Sequence, residues 1–185
     1  MTPPAWNRRT FLKASLAGTL LLFGTAGRSG AAIPDRLPEG RLLLYNTHTE
    51  ERLDVLYRDS EDGYRPDALK SLNQILRCHY TQQTAEMDLR VIEFVNAVDK
   101  QLGGGHEIHI ISGYRSPEYN DLLIRKGRNV ARHSLHLSGK AIDIRIPKVG
   151  LDILKRTAHS LRYGGVGYYP KSGFVHLDSG RFRSW

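Results

Sequence analysis

The chain has 185 residues, with 27 lysines and arginines against 19 aspartates and glutamates, and a formal net charge of +8. This length suits one domain with a single core, and no second domain is needed. A single cysteine, Cys78, excludes an internal disulfide. We expect Cys78 to be a small buried apolar residue and not a nucleophile, because the adjacent His79 points elsewhere on any regular element.

The first residues predict an export signal. Arg8-Arg9 followed by Phe11-Leu12-Lys13 is a twin-arginine pattern, and a weakly apolar stretch follows over residues 14–24. That stretch is about half of the roughly 20 residues that a membrane-spanning helix needs. We therefore expect residues 1–31 to be a signal peptide of the twin-arginine route, with a periplasmic mature protein and no stable membrane span. The alternative is an ordinary basic amphipathic N-terminus.

The mature chain is then predicted to consist of a linker, residues 32–40, and one domain, residues 41–185. Removal of the four basic residues of the leader from the total of 27 leaves 23 against 19 acidic ones, a net charge of about +4. This excess favours an acidic partner, such as a carboxylate-rich wall polymer. Export argues against nucleic acid as that partner. We expect a monomer.

The domain is predicted to open with a hairpin. Arg41–Thr47 and the alternating run Arg52–Tyr57 predict two strands, with residues 48–50 as the turn. Two amphipathic helices follow, because apolar residues recur at helical spacing after Pro66 and again from about Leu89. The second helix is predicted to end at three successive glycines.

The second half of the domain is predicted to be richer in strands. Its predicted strands and helices are, in chain order, strand His106–Ser112, helix Pro117–Lys126, strand Gly139–Pro147, helix Leu151–Leu161, strand Gly164–Tyr168 and strand Phe174–Asp178. The sequence therefore predicts an α+β fold, a single domain with a mainly antiparallel sheet flanked by helices.

Alternation along two of these strands places polar side chains away from the core. In Ala141–Ile146 the isoleucines share one face of the strand, which leaves Asp143 on the other. In Phe174–Asp178 the same alternation turns the apolar residues inward and puts His176 and Asp178 on the opposite face. If the two strands are neighbours, Asp143 and His176 meet on one surface.

His136 completes a candidate metal site. It precedes Asp143 by seven residues, and Ser138 and Gly139 between them allow the chain to turn back towards the strand. Two imidazoles and one carboxylate, with a fourth position for water, are the ligand set of a catalytic zinc site. Taken alone, none of these residues identifies a metal site, since an isolated histidine on a strand is more often a hydrogen-bonded residue of the surface or core than a metal ligand. We expect one Zn²⁺ per chain, held by His136, Asp143 and His176.

Four ordered motifs resemble a known family. Residues Ser134–Asp143 resemble the His-x-x-Gly-x-Ala-x-Asp signature of the M15 zinc peptidases, and Phe174–Asp178 resembles their second ligand motif. Ser112–Pro117 and Gly164–Pro170 are similar to the cell-wall branch of that group, the murein endopeptidase K family, formerly known only as a domain of unknown function. The resemblance implies a fold like that of the D-alanyl-D-alanine peptidases and hedgehog domains. It also implies a zinc-dependent hydrolase that cleaves peptide cross-links of peptidoglycan, between two diaminopimelate residues or between D-alanine and diaminopimelate.

The resemblance also implies substrate-binding residues. It places Arg115 at the substrate, where a planar guanidinium suits a peptide carboxylate or a polarised carbonyl oxygen. The alternative for Arg115 is a structural ion pair. Tyr114 and Tyr169 are further candidates for lining the cleft, and packing against the core is the alternative that their residue type favours. The partner is expected to be the stem peptide of peptidoglycan.

The general base is predicted less directly. Several relatives carry a glutamate three residues before the last ligand histidine, but here that position is Gly173. Asp178 and His133 are the candidate catalytic residues, and Asp178 is also a candidate for orienting a ligand imidazole. Two other functions stay open: a non-catalytic peptidoglycan-binding domain, and a D,D- or L,D-carboxypeptidase that trims stem peptides.

Overall fold

The described part of the domain consists of one seven-stranded sheet and four α-helices. The computed structural model describes residues 39–59, 63–128 and 130–185. The predicted signal peptide and nearly all of the predicted linker lie outside the described residues. None of the described helices is long and apolar enough to span a membrane.

The strands follow the order β2-β1-β3-β4-β6-β5-β7 across the sheet. Four of the six neighbouring pairs are antiparallel, while β1 with β3 and β5 with β7 are parallel. The mainly antiparallel α+β fold is therefore confirmed. The strands are β1 Gly40–Asn46, β2 Arg52–Arg58, β3 Glu107–Ser112, β4 Ala141–Arg145, β5 Gly165–Tyr169, β6 Phe174–Asp178 and β7 Arg183–Ser184.

All four predicted helices are present, as α1 Pro66–Ile75, α2 Leu89–Gln101, α3 Pro117–Arg125 and α4 Leu151–Leu161. Their ends follow local chemistry. Asp88 caps α2 by accepting a hydrogen bond from the Arg90 backbone, and Ser116 caps α3 in the same way. Proline opens both α1 and α3, where its missing N–H costs nothing.

The core lies on one side of the central strands. Helices α2 and α4 pack against each other there, α2 against β6 and α4 against β5 and β6. The inward residues of β4 and β6 are fully buried, as alternation predicts: Ile142, Ile144, Val175 and Leu177. The opposite face of β4 and β6 is therefore free of this packing and carries the polar side chains.

Two neighbouring residues of α4 test this division between core and surface. Leu154 is fully buried, whereas Ile153 is 44% exposed. We expect Leu154→Ala to lower the free energy of unfolding by about 2–5 kcal/mol because it leaves a cavity. Ile153→Ala should change it by about 0.5 kcal/mol. Urea unfolding of both variants measures the difference, and equal losses would contradict the packing described here.

Two elements differ from the sequence prediction. A 3-10 helix, Leu135–Ser138, precedes β4, and the strand predicted from Gly139 starts at Ala141. Phe174–Asp178 is not the last strand, because β7 follows and pairs in parallel with β5. Both elements are too short to show a hydrophobic period, since the 3-10 helix has four residues and β7 has two.

Candidate metal centre

The pairing of β4 with β6 brings two predicted ligands together. Asp143 and His176 lie directly opposite each other in the antiparallel register. Their side chains project from the face opposite the α2/α4 core, and the nearest oxygen of Asp143 is 2.7 Å from His176 Nδ1. Directly opposed residues have closely spaced side chains, so the register alone is sufficient to create this contact.

The 3-10 helix supplies the third side chain. The Ser134 hydroxyl accepts a hydrogen bond from the His136 backbone N–H at the start of the helix, and Gly139 ends it with φ of +66°. The His136 carbonyl also accepts a hydrogen bond of 3.1 Å from the Arg115 backbone N–H. These contacts fix the loop so that the buried His136 ring points at β4 and β6.

Gly139 offers a test of how tightly this loop is placed. A Cβ added at Gly139 would lie 2.5 Å from the Glu86 carbonyl oxygen, whereas Gly127 has nearly the same φ, +67°, and open space around it. We expect Gly127→Ala to cost only the left-handed backbone strain, about 1–2 kcal/mol. Gly139→Ala should destabilise the fold by more and should also weaken metal affinity, because the clash displaces His136.

Unfolding titrations and competition with a zinc chelator measure the two quantities. Equal destabilisation by the two substitutions, with unchanged metal affinity, would contradict the crowding at Gly139.

The donor atoms of the three side chains lie close enough together to hold one ion, and two of their three separations match those of a tetrahedral site, while His176 Nδ1 and Asp143 Oδ1 are closer, at 2.7 Å. His136 Nε2 is 3.2 Å from His176 Nδ1 and 3.3 Å from Asp143 Oδ1. Zinc bonds of about 2.0–2.1 Å place neighbouring ligands roughly 3.3 Å apart. These three are the one group among the described residues with metal-binding geometry. The residues therefore fit a single divalent ion.

The outer nitrogens of both rings are engaged elsewhere. His136 Nδ1 lies 2.7 Å from the Gly113 carbonyl oxygen, and His176 Nε2 lies 3.2 Å from Asp178 Oδ2. When these nitrogens donate to those oxygens, the lone pairs of His136 Nε2 and His176 Nδ1 face the centre. Such partners fix the tautomer and orientation of metal-binding histidines.

Gly113 must be a glycine for this contact to form. A Cβ at this position would collide with the backbone carbonyl of Leu76, just after α1. The Tyr114 N–H donates to the same carbonyl at 2.7 Å, which holds the loop in place. The sequence motif Ser112–Pro117 therefore contributes a backbone carbonyl to the site as well as side chains.

Asp178 is fully buried and saturated with partners. Arg183 donates to both of its oxygens, at 3.0 and 2.7 Å, and the Gly180 N–H donates at 2.8 Å. Sequence reasoning did not find Arg183, which lies in the two-residue β7 and outside the motifs. No local pattern in the sequence pairs it with Asp178.

Electrostatics favour a cation at this position. Burial opposes charge on the His176 ring, yet the hydrogen bonds to Asp143 and Asp178 raise its pKa to about 9. Burial likewise opposes ionisation of Asp143, but the two imidazoles hold the pKa of that carboxyl well below its ordinary value. Asp143 and Asp178 therefore both stay ionised in this buried site, where their charge attracts a cation.

Arg115 lies beside the ligands. Its side chain is 9% exposed, and Nη2 is 3.8 Å from Asp143 Oδ2. Nη1 donates to Asn120, while Nε is buried with no hydrogen-bond partner among the described residues. Burial lowers the pKa of this guanidinium, and Asp143 opposes that effect. The structure thus contains the ion pair that was the alternative to a substrate-binding role, but this pair leaves part of the guanidinium unsatisfied.

The other predicted site residues are placed differently. Tyr114 is half-buried and packs against the core. Tyr169 stacks on Phe174, and its hydroxyl accepts a hydrogen bond of 2.8 Å from Trp185 Nε1. His133 is exposed in the turn before the 3-10 helix. Gly173 lies in the turn between β5 and β6 with φ of +75°.

The remaining histidines lie outside the group with metal-binding geometry: His48, His79, His106, His109 and His159. Cys78 is buried, and its thiol contacts the Ser116 hydroxyl at 3.5 Å.

The fold and the donor set define a class. A mainly antiparallel sheet and a 3-10 helix that bring two histidines and one aspartate to a single point form a candidate mononuclear metal centre, of the kind that metallopeptidases use.

Comparison with known proteins identifies the family. The sequence profile of the M15-type family described as peptidoglycan L,D-endopeptidase MepK matches residues 37–185, so the chain belongs to this family. It is 39% identical over 181 residues to the probable peptidoglycan L,D-endopeptidase MepK of Haemophilus influenzae, covering 97% of this chain and 95% of that protein. It is 34% identical over 173 residues to the peptidoglycan L,D-endopeptidase MepK of Escherichia coli K12, covering 90% and 94% respectively. The resemblance seen in the motifs is confirmed.

Proposed function

We propose that this protein is a zinc-dependent endopeptidase that hydrolyses L,D peptide cross-links of peptidoglycan. The observation that carries the proposal is the convergence of His136, Asp143 and His176 in a chain that belongs to the MepK family. The two relatives are named for this activity and match along almost their whole length. We further propose a periplasmic location reached by the twin-arginine route, on the basis of the leader sequence.

The chain supplies most of the positioning for this reaction. When bound, zinc contributes Lewis acidity, which polarises the scissile carbonyl and makes water acidic enough to attack near neutral pH. Gly113 and Asp178 hold the two imidazoles in a fixed orientation through the contacts described above. Hydrolysis then joins the water oxygen to the carbonyl carbon, breaks the amide C–N bond and delivers a proton to the leaving amine.

Arg115 is suited to bind the substrate beside the metal. Its charge is buried, its pairing with Asp143 is long at 3.8 Å, and its Nε lacks a partner among the described residues. A buried donor without a partner is costly unless a ligand satisfies it. A stem-peptide carboxylate or the carbonyl oxygen of the scissile bond would pair with this guanidinium.

Substitution by lysine tests this role because it keeps the charge and removes the planar fork. We expect Arg115→Lys to lower kcat/KM by roughly 10- to 100-fold, since a charge-assisted hydrogen bond contributes about 1.5–3 kcal/mol. Zinc content, measured by elemental analysis, should be unchanged. Full activity of Arg115→Lys would show that Arg115 forms only a structural ion pair and does not bind the substrate.

The contacts of Asp178 favour orientation of His176 over proton transfer, because both of its oxygens are occupied. His133 is exposed and free of that constraint. His133→Ala tests it as the general base. A fall in kcat of roughly 100- to 10,000-fold at unchanged zinc content is the result that base catalysis requires.

Digestion of purified sacculi tests the function itself. The mature protein should release uncross-linked stem peptides from L,D-linked dimers, and a chelator should stop the reaction. Products separated by chromatography identify the bond. If cross-linked dimers persist equally with and without chelator, the proposal is wrong.

The same experiment separates the alternatives. A carboxypeptidase would trim soluble stem peptides faster than dimers. A non-catalytic binding domain is the alternative that Gly173 favours, since this position offers no acidic side chain. Such a domain would bind sacculi without turnover, and His136→Ala would still bind.

A further inference from the structure

The metal centre belongs to a row of residues that crosses the sheet. Asp143 on β4 faces His176 on β6, and His176 in turn faces Gly167 on β5. The pairing of Val166 with Ser184 then brings Trp185 alongside Gly167. The row therefore runs from two metal ligands, across a residue without a side chain, to an aromatic ring.

The Trp185 ring fills the space above Gly167 and reaches the metal centre. A Cβ on Gly167 would lie 2.8 Å from two atoms of the indole, so any larger residue would displace the ring. The ring centroids of Trp185 and His176 are 5.4 Å apart. Trp185 thus forms a wall beside a metal ligand.

This wall is held firmly in place. Two backbone hydrogen bonds join Trp185 to β5, from Tyr168 N to its carbonyl at 3.0 Å and from its N–H to Val166 O at 3.2 Å. The guanidinium of Arg183 lies 4.8 Å from the indole centroid. The ring is therefore pre-organised before any ligand binds, which reduces the entropy cost of binding.

The polar atom of the Trp185 side chain is already paired within the protein. Nε1 donates to the Tyr169 hydroxyl at 2.8 Å, and the residue as a whole is 49% exposed. The Tyr169 phenol also lies close enough to Arg115 to influence that guanidinium electrostatically. An indole with a satisfied Nε1 beside a metal ligand offers a hydrocarbon contact, and tryptophan is enriched among residues that dominate binding.

We propose that Trp185 and Tyr169 form an aromatic subsite that binds the aliphatic side chain of the stem-peptide residue next to the scissile bond. This inference rests on the proposed endopeptidase function. In this arrangement the cationic Arg115 binds the carboxylate of the substrate, and the two aromatic rings pack against its methylene groups. Trp185 is therefore a residue that sets substrate affinity and specificity and takes no part in proton transfer.

Fluorescence tests the contact without relying on turnover. The chain has two tryptophans, Trp6 and Trp185, so Trp6→Phe in the full chain leaves Trp185 as the only emitter. Titration of this zinc-loaded protein with uncross-linked stem peptide, the reaction product, should give a saturable change in emission. A stem peptide shortened before its diamino acid should bind without that change.

Kinetics on soluble cross-linked dimers supply the second measurement. We expect Trp185→Ala to raise KM roughly 10-fold and to change kcat less than about twofold. A contact that is equally strong in the bound substrate and in the transition state affects substrate binding only. Trp185→Phe should stay within about threefold of the parent because it keeps an aromatic face. Zinc content should equal that of the parent in both variants.

Tyr163→Ala is the matched control. Tyr163 is 46% exposed, similar to Trp185, but it stacks on Phe94 of α2. The Tyr163→Ala variant should have the KM of the parent protein.

The outcomes distinguish this inference from the proposed function. If the parent protein hydrolyses dimers but Trp185 emission does not respond and Trp185→Ala has the parental KM, the subsite is refuted while the endopeptidase stands. If the parent hydrolyses nothing, the proposed function fails, and the titration still decides whether Trp185 contacts a stem peptide. Should Trp185→Ala fold poorly, the titration decides the question.

Discussion

Replacing His136 by alanine should abolish hydrolysis of peptidoglycan cross-links and reduce zinc from one ion per chain to none. The substitution removes one of three donor atoms that lie within 4.8 Å of one another. Loss of the ion forfeits several kcal/mol of transition-state stabilisation, which corresponds to roughly 1,000-fold or more in rate. Elemental analysis and sacculus digestion measure the two effects.

His159→Ala is the control, because His159 is exposed on α4 and outside the metal centre. It should keep both zinc and activity. A second check is stability: chelator should destabilise the parent protein and the His159 variant, but should leave the His136 variant unchanged. Full activity of His136→Ala would remove the basis of the proposed mechanism.

The second large effect is expected at Asp178. Asp178→Asn keeps the shape of the side chain but removes the charge that faces His176 and Arg183. We expect zinc affinity to fall about 10- to 100-fold, as is typical when a partner that orients a metal-binding histidine is lost. The fold should also be destabilised, because the Arg183 guanidinium loses its ion pair with the buried carboxylate. Zinc competition titration and urea unfolding measure the two changes.

Asp152→Asn is a suitable control for this substitution. Asp152 pairs with Arg156 on the surface of α4, where both side chains are more than half exposed. An exposed pair contributes about 0.2–1 kcal/mol, so this variant should keep its stability and its zinc affinity. Equal zinc affinity in the Asp178 and Asp152 variants would show that Asp178 does not orient the ligand.

The sequence predicted the faces of the strands better than their arrangement. Alternation placed Asp143 and His176 outward because side chains alternate strictly along a strand. Alternation carries no information about which strands are neighbours. The prediction of the site therefore had to assume that β4 and β6 pair. It is the pairing itself, with Asp143 opposite His176, that creates the site.

The surroundings of the ligands were less predictable. The Gly113 carbonyl that holds His136 belongs to the backbone and has no signature of its own. Arg183 and Trp185 reach the site through β7, whose two residues are too few to show a period. Their roles depend on non-local pairing with β5, which a single sequence does not specify.

The register between β4 and β6 ties the metal to the correctness of the fold. A shift of one residue would leave a valine or a leucine opposite Asp143 and turn one strand's polar side chains into the apolar interior. An ion that needs both side chains at one point binds only the correctly paired sheet, and at 100 times its dissociation constant it adds about 2.7 kcal/mol in favour of that state. Metal supply should therefore govern how much of this protein survives heat or proteolysis, as well as how fast it works.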